Sequence, residues 1–132
     1  MAWIVAWIAA ALAFGGLDAV WLGWAGKNFY RPQLGDMLAE SFRMGPALVF
    51  YVAYVSAIVW FAVRPALAQG GVPVAALNGA LLGAICYATY DLTNQATLRH
   101  WSLTVTIVDI AWGTFATAVA ASLATIAAQR FA

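Results

Sequence analysis

The chain has 132 residues, of which 65% are hydrophobic and 8% charged, with a net charge of +1. A soluble globular domain carries about 25% charged residues, so this composition excludes one and points to a membrane protein. The balanced charge leaves no electrostatic footprint for nucleic acid, and the length predicts a single domain over residues 1–132 without an appended soluble module.

The first predicted span runs from about Ala2 to Trp24 and contains Asp18. A span needs roughly 20 apolar residues, whereas the core of a signal peptide has about 7–15. No Lys or Arg precedes this run, so it is expected to be a retained helix. The following segment, Lys27–Gly45, is the longest polar stretch. After Pro32 it places Leu34, Met37, Leu38 and Phe42 on one side and Gln33, Asp36, Glu40 and Arg43 largely opposite. That spacing predicts a short amphipathic helix lying in the membrane interface between the first two spans.

Three more spans follow, over about Pro46–Ala68, Val72–Asn94 and Trp101–Ala128. Pro46 and Pro73 suit the first turns of their helices, where a missing N–H costs nothing. Gln69-Gly70-Gly71 reads as a tight turn between antiparallel neighbours. Trp3, Trp24, Tyr51 and Trp101 fit interfacial anchors. The predicted fold class is therefore all-α, a polytopic membrane protein built as a four-helix transmembrane bundle. Lys27, Arg31, Arg43 and Arg99 edge one face of the membrane, and Arg64 and Arg130 the other. The positive-inside rule then puts the two longer connections in the cytoplasm and both termini outside.

Three acids lie inside or at the edge of these apolar runs: Asp18, Asp91 and Asp109. Because successive spans alternate in direction, all three fall in the same membrane half, the cytoplasmic one in this orientation. Asp18 shares its helical stripe with Ala11, Gly15 and Trp21; Asp109 with Thr106, Trp112 and Gly113; Asp91 with Gly83, Tyr87 and Asn94. Small residues let helices approach closely in lipid, so these faces are expected to turn inward. An ionisable side chain inside a membrane marks a function or a partner. The candidate ligand-binding set is Asp18, Trp21, Tyr87, Tyr90, Asp91, Thr93, Asn94, Arg99, Asp109 and Trp112. Arg99 or Arg31 is expected to pair with one of the acids; unpaired carboxylates this close would instead have to share a proton. The structural alternative is that the acids accept hydrogen bonds from Trp, Tyr or Thr and only hold helix register.

Asp18-Ala19-Val20-Trp21-Leu22-Gly23 and Asp109-Ile110-Ala111-Trp112-Gly113-Thr114 share an Asp-x-x-Trp pattern, which puts carboxylate and indole on one face of each helix. It is the kind of local likeness that an inverted internal repeat leaves. Cys86 is alone, so no internal disulfide forms, and it reads as a small buried apolar side chain. His100 is the one histidine, which predicts no metal site of familiar type. No nucleophile triad or phosphate loop is present, the acids alone would suit a hard cation weakly, and the residues leave the cofactor open.

Leu17–Gly23, Phe29-Tyr30-Arg31-Pro32-Gln33-Leu34-Gly35, Tyr90–Arg99 and Asp109–Thr114 together resemble domain-of-unknown-function family 2177 over essentially the whole chain. The resemblance implies a small bacterial inner-membrane protein with four spans, and it implies no activity. Three functions fit the residues. The first is small-molecule binding or proton-linked transport at the Asp/Tyr/Trp site. The second is a non-catalytic accessory subunit of a larger membrane complex. The third is an integral-membrane enzyme acting on a lipid or isoprenoid, with Asp91 or Asp109 as general acid or base. The expected partners are the bilayer, a small-molecule or lipid ligand, and a second copy or larger complex.

Overall fold

The computed structural model describes residues 1–39 and 43–132. It is 90% helical, and four helices are long and apolar enough to cross a membrane. They are α1 (Ala2–Met37), α2 (Met44–Ala68), α3 (Val72–Thr97) and α4 (Leu103–Phe131).

The first helix is longer than its apolar run. It passes the predicted end at Trp24, and Gly26 keeps right-handed helical angles. It then widens into a π turn at Gly26–Tyr30 and continues as α-helix through Arg31–Leu34. The chain turns away only at Gly35, whose φ of 56° is a conformation that glycine adopts without a Cβ penalty. The amphipathic segment is thus not a separate interfacial helix in its described part. Residues 31–37 extend α1, and Glu40 and Phe42 lie outside the described residues.

A π turn recurs in α2 at Val59–Val63, and each π turn is followed by Arg-Pro, Arg31-Pro32 and Arg64-Pro65. A proline inside a helix has no N–H to donate, and its ring crowds the carbonyl four residues back. Widening the preceding turn relieves that crowding. In α2 the carbonyl left over is that of Phe61, and the Asn78 side chain of α3 donates to it at 3.2 Å. The turn into α3 closes with the Gly71 N–H donating to the Ala66 carbonyl at 2.9 Å. Both Gly70 (φ 97°) and Gly71 (φ 67°) use the left-handed region there.

α3 and α4 form the closest pair. A Cβ on Gly83 would run into the Gly113 carbonyl, and one on Gly79 would sit 2.9 Å from the Thr117 carbonyl and the Ala121 methyl. Ala116, Ala120, Ala121 and Ala124 continue this seam along α4, all fully buried. α1 adds Ala6, Ala10 and Phe14, and α2 adds Val55, Ile58, Ala62 and Val63. Lipid tails are as apolar as leucine, so close backbone approach and hydrogen bonds between helices have to hold such a bundle. The Trp7 indole donates to Ser56 (3.1 Å), the Tyr51 hydroxyl to the Ala11 carbonyl, and Tyr54 and Thr117 share a buried hydroxyl bond of 2.7 Å. Leu12, Val20, Val49, Phe61, Leu77, Ile85 and Phe115 point outward, as a lipid-facing surface requires.

At the other end, Ser102 caps α4 by accepting from the Val105 N–H at 3.2 Å, and its hydroxyl donates to Gln33 at 2.7 Å. This joins the α1 extension to the start of α4, and it brings the π turn of α1 alongside the acid-bearing turns of α3 and α4.

Candidate functional site

Asp91 of α3 is fully buried, and Asp109 of α4 is 8% exposed. Their carboxyl groups lie against each other where α3 and α4 pack through glycine. Asp18 of α1 is half-buried within electrostatic reach of Asp109. The three acids therefore meet on the inner side of one bundle, as their small-residue stripes predict.

Tyr30 completes the cluster. Its hydroxyl donates to the Asp109 carboxylate and accepts from the Trp21 indole N–H at 3.0 Å. Tyr30 stands twelve positions after Asp18. In an unbroken α-helix it would lie roughly 120° away from that face. The π turn inserts the equivalent of one extra residue, and the offset drops to roughly 20°. Sequence periodicity alone misses Tyr30 because it assumes a constant turn. The signal that could have found it is Pro32, two residues on, which makes a widened turn upstream favourable.

The two Asp-x-x-Trp patterns meet antiparallel. Trp21 and Trp112 stack with ring centroids 4.7 Å apart and planes 10° from parallel. The Trp112 indole N–H points towards Asp18 without completing a hydrogen bond, while Trp21 is linked through Tyr30 to Asp109. Each acid thus faces the tryptophan of the other helix. Tyr87 of α3 is half-buried, and its ring lies over Gly113, where a Cβ would collide with it.

The other expected members lie outside this cluster. Tyr90 is 62% exposed and packs edge-on against Trp101, and Thr93 is exposed on the same outer side of α3. Asn94 is half-buried one turn beyond Asp91. Arg99 lies past the end of α3 and is exposed, as is Arg31. Neither forms the expected ion pair with Asp91 or Asp109 among the described residues: both Asp91 carboxylate oxygens lack a hydrogen-bond partner, and Asp109 is bonded by Tyr30. The physical reason is reach: Asp91 lies six residues inside the end of α3 and its side chain turns inward, away from the edge where the arginines sit.

Outside the stacked indoles is an apolar groove of about 570 Å³ between α1 and α4, lined by Gly16, Leu17, Val20, Trp21, Trp24 and Trp112. Its rim at Gly16, Val20 and Trp24 is exposed, and its floor is the Trp21–Trp112 stack. No group of His, Cys, Asp or Glu able to hold a metal ion occurs among the described residues.

A family model described as a predicted membrane protein, DUF2177, matches residues 3–126. The chain belongs to DUF2177. No curated protein and no solved structure matches it. Membership in DUF2177 agrees with the four apolar helices and carries no activity with it, so the function of the acid cluster has to be argued from its chemistry.

Proposed function

We propose that Asp91, Asp109, Asp18 and Tyr30 form a proton-carrying binding site for a small molecule within the membrane bundle. The observation that carries this reading is Asp91, fully buried with neither carboxylate oxygen hydrogen-bonded among the described residues, and lying against a second carboxyl. Buried polar groups are ordinarily paired, and one left without a partner costs about 1–3 kcal/mol. An acid that only held helix register would be expected to have a donor.

Two carboxylates in contact, with no basic side chain beside them among the described residues, cannot both stay charged in a low-dielectric interior. One proton between them removes the conflict. Asp109 already accepts from Tyr30, which suits the charged member. Asp91 has no donor of its own, so it holds the proton and donates it to Asp109. Tyr30 is fixed by Trp21 from behind, and it keeps its own hydrogen on the Asp109 side. The pair is then a store for one exchangeable proton, which is what proton-linked binding or transport needs.

Infrared spectroscopy of the detergent-solubilised protein tests this without a ligand. A carboxylic-acid C=O band is expected at neutral pH. It should shift on transfer to D2O while the protein stays folded, and it should be absent from Asp91→Asn. A wild-type protein with no such band, or with a band that never exchanges, would overturn the reading.

A further inference from the structure

We infer that the groove between α1 and α4 admits an amphipathic organic cation from the lipid, whose charge replaces the proton at the Asp91–Asp109 pair. This rests on the proton-carrying reading above and names the class of ligand.

The polarity of the ligand follows from what surrounds the site. At the inner end are three carboxyl groups without a basic partner among the described residues. Asp91 is fully buried, receives no hydrogen bond among the described residues, and lies against Asp109 in the cluster. The remaining ionisable groups facing the acids are Tyr30 from α1, Tyr51 and Tyr54 from α2 and Tyr87 from α3. None of these brings positive charge. An anionic head would meet like charge, and a neutral one would leave the acid charge uncompensated. Only a cation matches it.

The body of the ligand follows from the groove. Its lining is apolar and aromatic, and its volume of about 570 Å³ falls in the range that holds small molecules, about 300–1,000 Å³. Its rim faces the side of the bundle rather than an end, so the entry is lateral. Tryptophan faces attract cations more strongly than other aromatic rings do, and Trp21, Trp24 and Trp112 offer three along the path. Trp21 and Trp112 line the groove, which no acid does, while their indole nitrogens are turned to Tyr30 and Asp18, so the stack is where the groove adjoins the acids. Trp112 has a buried indole N–H without a hydrogen-bond partner among the described residues, so moving that ring breaks no hydrogen bond of its side chain. Trp112 is therefore the side of the stack that yields, while Tyr30 holds Trp21 in place.

The test uses two ions of one shape and opposite charge, tetraphenylphosphonium and tetraphenylborate, with full-length protein in detergent and empty micelles as the blank. Wild-type protein is expected to bind the phosphonium and not the borate above the blank. Each binding event should release one proton into weakly buffered solution. Because proton and cation compete, affinity should fall about tenfold for each pH unit of acidification while the pair takes up its proton, by reciprocal linkage. Asp91→Asn should abolish the binding. Trp112→Ala should weaken it at least about tenfold, the scale of a lost cation–π contact with its packing. Trp24→Ala, at the exposed rim, should weaken it in the same direction without endangering the fold. Equal binding of both ions, cation binding without proton release, or full affinity in both tryptophan variants would each overturn the inference. A wild type that shows the exchangeable acid band but binds neither ion would sink the cation and leave the proton-carrying site standing. The absence of the band itself would remove that site.

Discussion

Tyr30 occupies its single hydroxyl twice, accepting from Trp21 and donating to Asp109. Removing it should therefore be felt at both neighbours. Tyr30→Phe keeps the ring and its packing but leaves Asp109 without its donor and the Trp21 N–H without its acceptor. A hydrogen bond to a charged group contributes about 1.5–3 kcal/mol, so thermal unfolding in detergent should report a loss of that size. Asp91→Asn should behave differently. Asp91 accepts no hydrogen bond among the described residues, and an Asn amide N–H can donate to Asp109 in place of the shared proton, so the variant should stay within about 1.5 kcal/mol of wild type, below the cost of one lost charge-assisted bond. An Asp91→Asn protein that melts far below Tyr30→Phe would mean that the acid holds the helices together, and the accessory-subunit reading would gain by it.

Helix geometry decides which residues can reach the site at all. Pro32→Ala would let the π turn at Gly26–Tyr30 close to an ordinary α-turn with no residue removed, which rotates Tyr30 by about 100°. In that background a further Tyr30→Phe change should cost nothing more, whereas with Pro32 in place it costs the hydrogen bond. A double-variant cycle of melting curves measures the difference. The α3–α4 seam is equally exacting. Gly83→Ala puts a methyl into the Gly113 carbonyl and should destabilise by about 1–3 kcal/mol, as overpacking does. Gly16→Ala meets nothing within 4 Å and should stay within about 0.5 kcal/mol. Equal melting of the two alanine variants would show that the seam is looser than described.

Across the whole molecule, four spans return the chain to the side on which it began. The positive-inside rule applied to the basic residues predicts a cytoplasmic α1–α2 connection with both termini on the opposite side. In a Cys86→Ser background, an impermeant maleimide applied to spheroplasts should label Ala132→Cys and spare Asp36→Cys. The reverse pattern would invert the orientation. Labelling of both would mean that a bias of only four basic residues against two lets the protein insert both ways.

The sequence by itself determined the class of the protein, because apolar runs of span length have one open-chain solution in lipid and the backbone must close its own hydrogen bonds. It also indicated which faces turn inward. Asp18, Asp91 and Asp109 share stripes with glycine and alanine, and only those stripes allow helices to come so close. What it could not determine was anything that depended on departure from the regular turn. Tyr30 reads as a loop residue until the π turn before Pro32 carries it back to the acids. Pairing was equally illegible. Arg99 is near Asp91 in the chain, but the acid turns into the bundle and the arginine lies beyond the helix end, exposed. The stack of Trp21 on Trp112 and the groove outside it likewise exist only once α1 and α4 pack. A linear pattern specifies the faces of single helices, while the contacts between faces depend on the crossing of the helices and on the local turn that sets their rotation.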